Sequence, residues 1–206
     1  MTPSTMMIDA FYNACFPLLD VDENFRLREQ LPEDTEAFFR YYTDPEVARY
    51  ILASNPKNLM EASAEIHYCR NLFQYKRGIY WTIAHKEDDR MIGSIGLYIN
   101  NQHYRAEICY DMAREYWNQG IMTQSLRQVM HFCFDRIGII RIEAITLKEN
   151  TASVALLKKL GFHHEGVLKN YRYFNGQAYD IEMYAITPQE LACTPGVSLP
   201  HSVAAR

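Results

Sequence analysis

YWNQGIMTQSLRQV, Tyr116 to Val129, is a polar turn around one glycine that runs straight into an amphipathic helix. From Met122 the apolar residues fall at Leu126, Val129, Met130, Cys133, Phe134 and Ile137, the spacing of a single buried helical face. Upstream, Asn118, Gln119, Gly120, Ile121, Met122 and Thr123 would present successive backbone N–H groups at the helix N-terminus. Orphan donors and the macrodipole there favour an anion such as a phosphate. Gly120 supplies the bend without a Cβ that close approach of a diphosphate needs. The nucleotide-binding patterns GxxxxGKS/T and GxGxxG do not occur in the chain, so the common phosphate loops do not compete for this reading.

Just before the turn, RAEICYDMA (Arg105–Ala113) sets Ala106, Ile108 and Tyr110 against Arg105, Glu107 and Asp111, the alternation of a strand. YWTIA (80–84) and MIGSIGLYIN (91–100), joined by the charged turn HKEDDR, read as a hairpin, and Asn100-Asn101-Gln102 turns the chain into the third strand. After the helix, Gly138 breaks the run and RIEAITL (141–147) is a strand that packing makes parallel to the one before. KENTASVALLKKLGF (148–162) then reads as a short helix capped by Asn150 and closed by Gly161, burying Val154, Leu157 and Leu160. Two β-rich runs around Asn175-Gly176 give a final hairpin.

The N-terminal half opens with FRLREQ (25–30) as a first strand, then LPEDTEAFFRYYTD as a helix ended or turned by Asp44-Pro45. Met60 to Tyr75 places Ala62, Ile66, Cys69 and Phe73 on one helical stripe. The expected organisation is an N-terminal extension over residues 1–22, one domain over 23–187 and a mobile, proline-containing tail over 188–206. At 206 residues with 48% hydrophobic and 22% charged residues, the chain can bury one core and is not a disordered sequence. A net charge of −4 argues against direct nucleic-acid binding. Five scattered cysteines without a CxxC, no leader-like start and no long apolar run point to a cytoplasmic protein with no membrane association. His67 with Cys69 and His131 with Cys133 point in different helical directions, so no metal site is expected.

Taken together, WNQGIMTQSL, RIEAITLKENTASVALLKKLGF, EGVLKNYRYFNG and Tyr179-Asp180 followed by Tyr184 resemble the GNAT acetyltransferase superfamily, specifically its RimJ/RimL-type ribosomal-protein N-acetyltransferase branch. The resemblance spans roughly Phe25 to Ile186. It implies an α/β (mixed α+β) domain whose bent, mostly antiparallel sheet is flanked by helices, with acetyl-CoA wedged where two central strands splay. It also implies that Asn118, Gln119, Gly120, Ile121, Met122 and Thr123 cradle the pyrophosphate of CoA. The family's second small residue in that turn is Met122 here, which would either crowd the phosphates or turn into the core.

Acetyl transfer to an amine needs a neutral amine, a stabilised oxyanion and a proton for the departing thiolate. An α-amine, titrating near 8, needs only a mild base. Glu107 is the first candidate and Glu143 the second, each alternatively a structural ion-pair partner of Arg105 or Arg141. The resemblance implies that a main-chain N–H near Cys109 or Tyr110 holds the oxyanion. It also implies that Ser153 protonates the thiolate, and that Asn150 contacts pantetheine while capping its helix. Many relatives carry a tyrosine where Leu157 stands, and a glutamate where Arg172 stands. Tyr98, Tyr171, Tyr173 and Asn175 are candidates for an acceptor groove. The expected partners are acetyl-CoA and an amine acceptor, a ribosomal or other protein N-terminus, on a monomer or homodimer. A small-molecule amine and a non-catalytic acyl-CoA-binding role are the alternatives.

Overall fold

The computed structural model of the chain describes residues 3–194. Its strands are β1 (Leu19–Asp20), β2 (Phe25–Glu29), β3 (Gly78–His85), β4 (Met91–Asn100), β5 (Arg105–Met112), β6 (Arg141–Thr146), β7 (His163–Phe174) and β8 (Gln177–Ile186). They form one sheet in the order β1-β2-β3-β4-β5-β6-β8-β7. Neighbours are antiparallel except β5 and β6, which are parallel. That exception is the expected crossover through the glycine-turn helix, α5 (Ile121–Phe132). The Asn175-Gly176 hairpin also forms, with both residues at positive φ of 47° and 79°, the backbone that a two-residue turn between twisted strands requires.

The other helices are α1 (Pro3–Asn13), α2 (Thr35–Tyr42), α3 (Pro45–Ala48), α4 (Leu59–Gln74), α6 (Thr151–Lys159) and α7 (Pro188–Cys193). Leu126, Val129 and Met130 of α5 are buried against Leu27, Trp81, Ile95 and Ile108 of the sheet. Each side chain so buried is worth about 1.5–3 kcal/mol of transfer free energy. Below Phe132 the helix passes into a π-turn over Cys133–Ile137 and closes at Gly138 (φ 80°). Cys133 and Ile137 keep the inward face there, whereas Phe134, expected on that face, is only partly buried. A second, smaller cluster of Phe38, Tyr41, Val47, Ala62 and Ile66 lies under α2, α3 and α4 and meets the sheet at Met91 and Ala113.

Local signals set the helix starts. Asp44 accepts from the Glu46 N–H at 2.9 Å and caps α3, so Asp44-Pro45 both ends one helix and begins another. Asn58 accepts from the Glu61 N–H at 3.0 Å and starts α4 before the expected Met60. Asp34 ends a single 3₁₀ turn instead of opening the helix directly, because its buried carboxylate receives two hydrogen bonds from Arg28 at 2.8 Å and one from Thr82 at 2.9 Å. The first 22 residues contribute to the main core through Ile8, Phe11 and Tyr12. Phe11 meets Phe73 and Phe132 edge-on at centroid distances of 5.3 and 5.9 Å. At the other end, Pro188–Cys193 form α7 with Leu191 buried, where the sequence pattern showed no period. The expected mobile tail beyond Thr194 lies outside the described residues.

Candidate active site

Parallel pairing between β5 and β6 covers only Arg105 with Arg141, Ala106 with Ile142, and Glu107 with Glu143. Beyond that point the two strands part, while β5 stays paired with β4 as far as Met112. The Ala113 N–H donates to the Ile92 carbonyl of β4 at 2.8 Å. Antiparallel alternation then turns the main-chain groups of Cys109 and Asp111 toward β4 and those of Ile108, Tyr110 and Met112 toward the gap. The Trp117 indole N–H, which donates to the Met112 carbonyl at 2.8 Å, lies on that gap side. Of the two positions expected to supply an oxyanion donor, Tyr110 therefore faces the gap and Cys109 does not.

The gap opens into a cleft of about 770 Å³. Cys109, Tyr110, Asn118, Gly120, Met122, Thr123, Asn150 and Ser153 all line it. Gly120 adopts φ 82° as the N-cap of α5, Asn118 adopts φ 61°, and no side chain caps the helix. The first-turn N–H groups of Ile121, Met122 and Thr123 thus face the cleft end without a capping side chain. A Cβ on Gly120 would meet no protein atom within 4 Å, so the bare backbone borders open space of the kind a diphosphate fills. Met122 is 8% exposed and packs into the main core while bordering the cleft. Arg49 and Lys159 line the same cleft and supply positive charge for an anion. Two expected members do not line it: the Gln119 side chain donates to the Glu115 carbonyl at 2.8 Å, and the Ile121 side chain is buried in the core.

On the far wall, Asn150 caps α6 by accepting from the Ser153 N–H at 3.2 Å. That cap orients Ser153, whose Oγ lies 2.8 Å from the Tyr110 hydroxyl. Burial pushes the Tyr110 phenol up to about 12, against a lowering by the Ser153 hydrogen bond. Cys109 points elsewhere, with Sγ 2.8 Å from the Tyr80 hydroxyl, and burial pushes its thiol up to about 12. It is a poor nucleophile.

The carboxylates divide sharply. Glu143 is buried and bound by Arg105 and by Arg141, the latter at 2.8 Å. Glu107 pairs with Arg172 at 3.2 Å and lines a separate cavity of about 460 Å³ with Tyr98, Arg77 and Arg105. Its carboxyl titrates above the ordinary range because burial and Glu143 outweigh Arg172 and Arg105. Asp111, one residue past Tyr110, lines the main cleft, and its Oδ1 accepts from the Tyr41 hydroxyl at 2.7 Å.

A strand pair that separates beside a glycine turn at a helix N-terminus matches what the sequence resemblance implies. A family profile described as "Acetyltransferase (GNAT) domain" matches residues 24–163. The chain belongs to the GNAT acetyltransferase family. It is an acetyl-CoA-dependent N-acetyltransferase, and its fold is the single GNAT domain with a mixed sheet flanked by helices. The uncharacterized N-acetyltransferase YoaA of Bacillus subtilis is 37% identical over 177 residues, covering 85% of this chain and 99% of YoaA. The solved structure of RimL, a ribosomal L7/L12 alpha-N-protein acetyltransferase, has the same fold with a TM-score of 0.76 at 23% identity, covering 85% of this chain and 96% of RimL. Mycobacterium smegmatis RimJ, solved with CoA-disulfide, gives a TM-score of 0.73 at 25% identity, covering 81% of this chain and 83% of RimJ. The acetyltransferase is thus RimJ/RimL-like.

Acetyl-CoA fits the cleft by its donor set: backbone N–H groups and a Cβ-free bend for the diphosphate, and hydroxyls of Ser153 and Tyr110 beside the gap for the sulfur end. Bound there, it supplies the activated acetyl group. Three parts of this acetyltransferase's site were not read from the sequence. The Tyr110 side chain, the Trp117 anchor and the cleft position of Asp111 all depend on where β5 leaves β6, and no sequence pattern marks that residue. Among the described residues no helix is long and apolar enough to cross a membrane.

Proposed function

We propose that this acetyltransferase acetylates a protein N-terminal α-amine by direct attack in a ternary complex. The observation that carries the reading is the gap between β5 and β6, bordered by the Tyr110 N–H on one side and the Ser153–Tyr110 hydroxyl pair on the other. Tyr110 turns its N–H toward the gap where β5 has left β6, so a thioester carbonyl can join β5 as an added hydrogen-bond partner and build its negative charge against that N–H. Ser153, oriented by Asn150 and backed by Tyr110, protonates the departing thiolate. A carboxylate of β5 removes the proton of the incoming ammonium, with Glu107 the one expected from the sequence. Asn118 and the backbone N–H groups from Gly120 to Thr123 hold the diphosphate, and Asn150 borders the pantetheine arm.

The N-terminal acceptor is supported by the likeness to RimL and RimJ and by exposed aromatic residues on β7, Tyr171 and Tyr173, which offer an extended peptide a surface near the Glu107–Arg172 pair. A small polyamine is the second reading. It is favoured by the spermidine N(1)-acetyltransferase of Escherichia coli, 34% identical over 104 residues, covering 49% of this chain and 56% of that enzyme. Thiol release from acetyl-CoA over a panel of free-N-terminus peptides, spermidine and amino sugars decides between them. A kcat/KM at least about tenfold higher for a peptide supports the N-terminal reading, and a preference for spermidine replaces it.

A further inference from the structure

Three carboxylates sit on the strands that border the gap: Glu107, Asp111 and Glu143. Glu143 is held by two guanidinium groups and Glu107 by one. Among the described residues Asp111 makes no ion pair. It is fixed instead by neutral donors: Tyr41 donates to Oδ1 at 2.7 Å, the Ser94 hydroxyl lies 3.1 Å from both carboxylate oxygens, and the Ser94 backbone adds a further hydrogen bond. Such donors orient a carboxylate without cancelling its charge, so it remains able to accept a proton. Asp111 is also the one of the three that lines the main cleft, where Tyr110 and Ser153 stand.

We propose that Asp111 is the catalytic base that takes the proton from the acceptor amine, and that Tyr41 and Ser94 are its positioning residues. The inference rests on acetyl transfer taking place in the cleft. The acceptor ammonium gives one proton to Asp111, and the freed nitrogen lone pair forms the N–C bond to the thioester carbon. As the C–S bond breaks, the thiolate takes a proton from Ser153 with Tyr110 behind it. The amide nitrogen's second proton refills that pair, and Asp111 releases its own to solvent. Products are the acetamide, the free thiol and one proton.

The surroundings suit a base that works near neutrality. Burial raises the Asp111 carboxyl to about 6, against the lowering by Tyr41 and Ser94. The charges and titratable groups that face it are Tyr41 and Tyr42 of α2, Glu65 and Cys69 of α4, and Cys109 on its own strand. Glu46, Arg49 and Tyr50 from α3 and its end, and Lys159 of α6, line the cleft it opens into.

The test is the pH dependence of kcat/KM for Asp111→Asn, Glu107→Gln, Tyr41→Phe and Ser94→Ala, with free-N-terminus peptides and spermidine as acceptors and acetyl-CoA affinity measured by calorimetry. Asp111→Asn should bind acetyl-CoA as the wild type does, lose about 100-fold or more in kcat, and lose the acid limb near pH 6. Tyr41→Phe and Ser94→Ala remove bonds that favour the ionised form, so their acid limbs should move to higher pH. A purely structural role would leave those limbs in place. If Asp111→Asn does not fold, the limb shift in Tyr41→Phe decides. Wild-type kcat and an intact limb in Asp111→Asn overturn the proposal, as does transfer of both losses to Glu107→Gln; in either case acetyl transfer in the cleft still stands. A wild-type protein that binds acetyl-CoA but acetylates neither probe overturns the acceptor reading and this inference together.

Discussion

The Tyr110 hydroxyl lies 2.8 Å from Ser153 Oγ, joining the strand that borders the gap to the first turn of the helix opposite. Leu157, the position where the sequence resemblance implies a tyrosine, is buried in the core. The phenol reaches the cleft from β5 instead. With its titration raised to about 12 by burial, Tyr110 keeps its proton throughout the neutral range and can share it with the Ser153 hydroxyl.

Ser153→Ala and Tyr110→Phe should therefore lower kcat, by about 10- to 100-fold for the serine and less for the tyrosine. Acetyl-CoA affinity should change by less than about threefold in both. Because the two hydroxyls act as one unit, the double variant should lose no more than the serine variant alone, a non-additivity that steady-state kinetics measures directly.

Gly120→Ala tests the diphosphate site. No protein atom opposes the new methyl group, so its cost comes from the left-handed backbone, about 1 kcal/mol, and from intrusion on the bound diphosphate. Acetyl-CoA affinity should fall about tenfold or more, with only a modest drop in melting temperature. Calorimetry and thermal unfolding separate the two effects.

Asp111 should impose a pH signature on stability. Its carboxyl titrates near 6 in the folded chain and near 4 when unfolded, so the native state retains a proton that the unfolded chain has lost across that interval. Stability then falls as pH rises from about 4 to about 6, by on the order of 2–3 kcal/mol from this group. Chemical denaturation at a series of pH values should show that slope in the wild type and a shallower one in Asp111→Asn.

Phe11→Ala should destabilise the fold by about 2–4 kcal/mol, because it removes a buried ring packed on Phe73 and Phe132. Acetyl-CoA affinity of the folded fraction should be unchanged. A neutral result would show that α1 is dispensable to the core.

Much of the frame was legible in the sequence because it depends on local patterns. The glycine turn, the α5 face through Leu126, Val129 and Met130, the Asn150 cap and the Asn175-Gly176 hairpin each carry their own signal within a few residues. The parallel crossover followed from strand, helix and strand in succession. What was not legible depends on contacts distant in sequence. The pairing of Glu107 with Arg172 spans 65 residues and that of Asp111 with Tyr41 spans 70. Neither could be seen on β5, where Glu107 and Asp111 alternate as equivalent polar positions. Strand Leu19–Asp20 escaped because two residues carry no period, and α1 because its apolar residues have meaning only against Phe73 and Phe132.

A crystal structure with bound CoA tests the central claim most directly. The diphosphate should lie on the N–H groups of the turn from Gly120 to Thr123, and the sulfur should sit in the gap between β5 and β6 within reach of Ser153 Oγ. CoA bound elsewhere on the domain, or with its sulfur outside that gap, would contradict the account.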